Sequence, residues 1–196
     1  MNLDLHDKAA LVTGGSHGLG KAVCLELAAE GARVAVNYRQ SPEKADAVAA
    51  EIRDRFGVEA VTVRGDVSEE AAVAAMFDRI EERFGPVQVL VNNAAVCPTC
   101  PVKDMTEAEW TETVRINLTG TFLASREMVK RCEAASRPGR IINIVSPAAF
   151  LGSSSGKSHY SASKAGVVAF TVSLAREVAA SGIRVNAVAP GMMLTE

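Results

Sequence analysis

At 196 residues, 48% hydrophobic and 22% charged, the chain can bury one substantial core, roughly 70% of its unfolded surface at this size, and a single domain over 1–196 is expected. Its 21 Lys and Arg against 23 Asp and Glu give a net charge of -2, without the positive excess that grips a nucleic-acid backbone. No apolar run nears the ~20 residues of a membrane helix, and the polar start Met1-Asn2-Leu3-Asp4-Leu5-His6-Asp7 is no signal peptide, so a cytoplasmic protein with neither nucleic-acid nor membrane partners is expected.

Short β-branched runs alternate with helically spaced stretches, the pattern of βαβ units in a parallel sheet. The first of six predicted strands, 9–12, runs into Thr13-Gly14-Gly15-Ser16-His17-Gly18-Leu19-Gly20. There Gly14 and Gly18 permit a tight turn and close approach, Gly20 lets helix and strand pack, and the new helix presents free N–H groups to a pyrophosphate. Leu19, Val23 and Leu27 mark that helix by their i, i+4, i+8 spacing.

The second strand, 33–38, places Asn37 where an acidic residue would bind a ribose 2'-hydroxyl. Asn37 would not repel a 2'-phosphate, and Arg39, with Ser41 and His17, can contact one through charge-assisted hydrogen bonds. This favours NADP(H) over NAD(H); the plainer reading of Arg39 is a solvated loop residue.

Val48, Ile52 and Phe56 mark the second helix, 60–64 the third strand, and Val73, Phe77 and Ile80 the third helix. After the fourth strand, 87–91, a long fourth helix carries Trp110, Val114, Leu118, Phe122, Ser125 and Val129 on one stripe, expected to pack in the core, with a subunit interface as a second role for Trp110. The fifth strand, 140–145, precedes a fifth helix from near Ser158 to about Ala180, ended by Gly182 as a left-handed cap. The sixth strand is 184–188. Loops 97–104 and 153–158 lie at the carboxyl edge of the sheet, where such folds bind ligands.

With the glycine turn, Asn92-Asn93-Ala94-Ala95, Asn117, Ser146, Tyr160-Ser161-Ala162-Ser163-Lys164 and Pro190-Gly191 followed by Thr195 make nearly the whole chain resemble the short-chain dehydrogenase/reductase family, most of all its 3-oxoacyl-[acyl-carrier-protein] reductases. The resemblance implies a Rossmann-like doubly wound α/β sheet. It implies that Asp66 and Val67 border the adenine, that Asn92 braces the cofactor near the fourth strand, and that Thr195 faces the nicotinamide carboxamide or pyrophosphate. The whole cofactor set is then Gly14, Ser16, His17, Gly18, Leu19, Gly20, Asn37, Arg39, Asp66, Val67, Asn93, Tyr160, Lys164, Pro190, Gly191 and Thr195. Asp66 has a plainer reading as a helix cap.

The implied reaction is hydride transfer between nicotinamide and a carbonyl or secondary alcohol, with a 3-oxoacyl thioester among the candidates. Tyr160 would exchange the proton, Ser146 hydrogen-bond the same oxygen, Lys164 hold the nicotinamide ribose, and Asn117 anchor a water linking the lysine to solvent. Tyr160 and Lys164 stand one helical turn apart on one face. The ammonium, with the oxidised cofactor, is expected to favour the phenolate of a group that otherwise titrates near ~10. The second reading is a non-catalytic dinucleotide-binding redox sensor or scaffold.

The chain departs from the family in Ala95 where glycine is common, in one extra residue between Ser146 and Tyr160, and in Pro147. It stops at Glu196, so relative to the family it is C-terminally incomplete: a further helix and a seventh strand are apparently missing, and the sixth strand should present an unpaired edge. Cys97-Pro98-Thr99-Cys100 has the spacing of a redox pair or half a zinc site. No second pair is apparent, so no metal is expected, and a disulfide stays open beside two unrelated thiols. His159 should border the substrate entrance or solvent. The resemblance further implies a homodimer through the fourth and fifth helices, and a tetramer if the C-terminal region exists.

Overall fold

The computed structural model describes residues 3–191. Strands β1 (Ala9–Val12), β2 (Arg33–Tyr38), β3 (Ala60–Arg64), β4 (Val87–Asn92), β5 (Gly139–Ile144) and β6 (Ile183–Val188) pair in parallel, in the order β3-β2-β1-β4-β5-β6. All lie within a residue of their predicted spans. The order reverses between β1 and β4, which opens a crevice at their carboxyl ends.

Seven α-helices are described: α1 (Gly18–Ala29), α2 (Pro42–Phe56), α3 (Glu70–Phe84), α4 (Glu107–Val114), α5 (Gly120–Ala134), α6 (Ala148–Leu151) and α7 (Ser158–Glu177). Phe77 and Ile80 of α3, Met128 of α5 and Leu174 of α7 join Leu11, Leu90 and Ile141 in one core. Cys24 and Ala28 of α1 with Val48 and Ile52 of α2 join Val12, Val34 and Val36 in the other. Each large apolar side chain so buried contributes about 1.5–3 kcal/mol, so the sheet that positions the crevice is held from both faces. None of the described helices is long and apolar enough to cross a membrane.

Three expectations are corrected. On α1 the buried face is Gly20, Cys24 and Ala28, one position round from Leu19, Val23 and Leu27, because small residues let the helix lie close to the sheet. The fourth helix is interrupted by a π-helical turn, Arg115–Thr119, between α4 and α5. Its buried stripe includes Ile116, Asn117, Gly120, Ala124 and Met128, while Trp110 and Phe122, expected in the core, are 43% and 39% exposed. Helix α6 was not foreseen; it begins where the Ala148 N–H donates to Ser146 Oγ at 3.2 Å. The fifth helix continues into a 3-10 turn, Ala179–Ser181, closed as expected by left-handed Gly182.

Candidate functional site

The glycine turn is built from β1 outward. Gly14 and Gly18 have φ of +62° and +53°, as the tight turn requires. A Cβ on Gly20 would lie 2.2 Å from the Gly14 carbonyl oxygen and 2.6 Å from Asn93 Nδ2, so this cradle closes only around glycine. Thr13 Oγ1 accepts the N–H groups of Asn93 (2.9 Å) and Ala94 (3.0 Å), and Asn93 Nδ2 donates to the carbonyls of Thr13 (2.9 Å) and Gly14 (3.0 Å). The loop after β4 is thereby stitched to the turn after β1. No side chain caps α1, and its first turn holds no acidic residue, which leaves N–H groups and positive dipole charge facing the crevice.

A groove of about 400 Å³ runs along this turn, lined by Gly14, Ser16, His17, Gly18, Leu19, Gly20, Asn37, Tyr38, Arg39, Gln40, Ser41, Gly65, Asp66, Val67, Asn93, Ala94, Ala95, Val96 and Ile116. It gathers eleven of the predicted cofactor residues. Tyr38, Gln40, Gly65, Val96 and Ile116 also line it and were not singled out as cofactor residues from the sequence.

Asp66 serves two ends. Burial opposes its ionisation, but hydrogen bonds from the Ser68 hydroxyl and N–H, with the charges of Arg39 and Arg115, hold its carboxyl below the usual range. Its Oδ2 stands 3.5 Å from Arg39 Nη1. Asn92, expected to brace the cofactor, is buried instead, donating to Ser125 Oγ (3.0 Å) and Asn143 Oδ1 (2.8 Å); as the last residue of β4 it points between the sheet and α5.

Beyond Val96 stands the second cluster. The π turn brings Asn117, fully buried, against the loop: its Oδ1 accepts the Val96 N–H at 2.8 Å, and its Nδ2 donates to the Val96 carbonyl (2.9 Å) and Ser163 Oγ (3.1 Å). Such turns recur at functional sites. Lys164, 3% exposed, donates from Nζ to the Ile144 carbonyl at 2.7 Å, and Nζ lies 5.9 Å from the Tyr160 ring centre. Burial pushes the Lys164 ammonium down to about 8. Burial also raises the Tyr160 phenol, although a hydrogen bond with Ser146 acts the other way. The expected lowering of the phenol is therefore not seen in the protein alone, where the lysine is itself desolvated and turned to a main-chain carbonyl.

Cys97, missed as a site residue, lies where a charge on its sulfur acts on both Tyr160 and Lys164. Cys97 and Cys100 are free thiols. The Cys100 N–H donates to the Gly156 carbonyl at 2.8 Å. His159 does not reach solvent: it is fully buried, and neither ring nitrogen has a partner among the described residues. Pro190 and Gly191 come after β6 and do not line the groove. Thr195 lies outside the described residues. Among those residues no three His, Cys, Asp or Glu side chains gather as a metal site would need.

The uncapped helix start, the closed glycine cradle and the groove fit an extended dinucleotide. The profile of the family described as short chain dehydrogenase matches residues 8–196. The chain is 43% identical over 189 residues to a 3-oxoacyl-[acyl-carrier-protein] reductase of Synechocystis sp., covering 96% of this chain and 75% of that protein. It is 42% identical over 193 residues to the corresponding reductase of Staphylococcus aureus, covering 96% and 76%. A short chain dehydrogenase from Burkholderia cenocepacia, solved in complex with NADP, superposes with a TM-score of 0.91 at 37% identity over 98% of this chain and 77% of that one. A dehydrogenase/reductase from Sinorhizobium meliloti gives 0.92 at 38% identity over 98% and 75%.

Proposed function

Because the chain belongs to the short chain dehydrogenase family, and so is a hydride-transferring oxidoreductase, we propose that it is an NADP(H)-dependent reductase of carbonyl compounds, with 3-oxoacyl thioesters as its first substrate class. The reading is carried by the meeting of Ser146, Tyr160 and Lys164 at the carboxyl end of β5, beyond a groove built on a glycine turn. When bound, the nicotinamide supplies or takes the hydride. Tyr160 gives its proton to the carbonyl oxygen, and Ser146 hydrogen-bonds the same oxygen and fixes its place. Lys164 as ammonium holds the nicotinamide ribose hydroxyls, and Asn117 anchors the water path that returns the proton. A cytoplasmic setting accompanies this reading.

Arg39, with His17 and Ser41, takes the 2'-phosphate. A charge-assisted hydrogen bond is worth about 1.5–3 kcal/mol, so Arg39→Ala weakens NADPH binding roughly 10- to 100-fold and leaves NADH binding unchanged. The deciding assay follows NADPH consumption against acyl thioesters and simple ketones. Cofactor binding without turnover on either class overturns the enzymatic reading, and equal loss of NADPH and NADH in the Arg39 variant overturns the phosphate assignment.

The Lys164 ammonium also sets a pH dependence. If the ribose needs the cation, binding raises the lysine's pKa from about 8, so affinity is flat below that pH. Above it, each further unit weakens binding by about tenfold until the bound form titrates too. NADPH titrations at a series of pH values check this; an affinity that does not fall on the alkaline side removes the ribose role.

The outward stripe supports a homodimer. Trp110, Phe122 and Val172 are exposed, Phe122 meets Phe170 edge to face at 6.1 Å between ring centres, and the Arg126 guanidinium lies 5.1 Å from the Phe122 ring centre. Phe122→Glu, which buries a charge in such an interface, should halve the mass measured by light scattering. An unchanged mass removes this face from the assembly; a tetramer would use a further face.

A further inference from the structure

Asn37 borders the groove, yet it is only 2% exposed and its carboxamide faces inward. Oδ1 accepts the Gly14 N–H at 3.1 Å, while Nδ2 faces the carbonyls of Val63 (3.2 Å) and Gly65 (3.1 Å) and Met76 Sδ (2.9 Å). The Asn37 main-chain carbonyl accepts the Gly15 N–H at 2.9 Å. Every atom around Oδ1 and Nδ2 thus agrees on which end donates, so the amide orientation is fixed by its partners. A carboxylate here would set a second acceptor against two carbonyl oxygens and a sulfur. The missing acidic residue therefore has a cause inside the protein, beyond the absence of charge repulsion that the sequence suggested for Asn37.

We infer that Asn37 is a positioning residue for the dinucleotide: one buried amide joins the glycine turn to the end of β3, so that pyrophosphate donors and adenine wall move as one rigid body. This rests on the dinucleotide reading of the groove. The turn contributes Gly14, and the β3 end leads through Gly65 into Asp66 and Val67, which line the other side. Releasing the clamp loosens the spacing between two subsites that one ligand must fill together, and the cost falls on cofactor binding whatever the 2'-substituent.

The test measures dissociation constants of NADPH and NADH and steady-state rates for the wild type, Asn37→Ala and Asn37→Asp, with amide hydrogen exchange of Gly14 in the wild type. Both variants should bind both cofactors at least tenfold more weakly by the same factor. Cofactor KM should rise in step, and kcat at saturating cofactor should stay within about threefold. The wild-type Gly14 amide should be protected without cofactor, an observation that stands even if a variant fails to fold. A folded variant with lowered Tm but unchanged affinity would make the role merely structural and overturn the inference. So would a changed NADPH to NADH preference, or a freely exchanging Gly14 amide. A wild type that binds neither cofactor overturns the functional reading and this inference together; loss of this inference alone requires a wild type that binds.

Discussion

Tyr160→Phe is expected to lower kcat for carbonyl reduction by roughly 10²–10⁴-fold, the range one positioned proton donor supplies, while NADPH affinity stays within about twofold. The ring is kept and only the hydroxyl is lost, so the packing of this half-buried residue on α7 survives. The groove residues that hold the turn and the adenine side do not include Tyr160, which is why binding should be spared. Burial keeps the phenol protonated at neutral pH, the form a proton donor needs in reduction. Oxidation of an alcohol needs the phenolate instead, so its rate should climb further toward alkaline pH than the rate of reduction. Stopped-flow binding and single-turnover rates for the variant separate the two effects; retention of a tenth or more of the wild-type rate would remove Tyr160 as the donor.

Strand positions were legible because β-branched runs such as Val34 to Val36 bury both faces in a parallel sheet, and nothing in their surroundings could reassign them. The glycine turn was equally plain, since glycine takes the positive φ found at Gly14 and Gly18 without steric cost. Sequence spacing could not decide direction. Asn37 sits at the predicted strand end, but the acceptors that turn its amide inward come from β3 and α3, 26 to 39 residues away. On the fourth helix, spacing marks one stripe without saying which way it faces, so the stripe through Trp110 and Phe122 names the outer face, while Ile116, Gly120 and Ala124 are buried. His159 was misplaced for a related reason: adjacency to Tyr160 fixes its angle around α7, while burial depends on α4 lying across that side.

The heaviest loss of cofactor binding should come from one methyl group. Gly20→Ala places a Cβ 2.2 Å from the Gly14 carbonyl oxygen and 3.0 Å from its carbon. Neither is the end of a flexible side chain, and the same oxygen already accepts from Asn93 Nδ2. Relief can come only by moving α1 away from the turn or by bending the turn itself. Moving α1 also lifts Cys24 and Ala28 from the sheet, and such overpacking costs about 1–3 kcal/mol of stability. Either movement displaces the N–H groups at the helix start from a pyrophosphate seated between them and Gly14, and each hydrogen bond to the charged phosphate so lost is worth about 1.5–3 kcal/mol, roughly 10- to 100-fold in affinity. NADPH and NADH should therefore both bind about a hundredfold more weakly to a variant that still melts cooperatively. Ala22→Ser, on the exposed side of the same helix, should leave affinity and melting temperature unchanged. A Gly20→Ala protein that binds NADPH within threefold of the wild type would mean that the ligand does not lie against this turn.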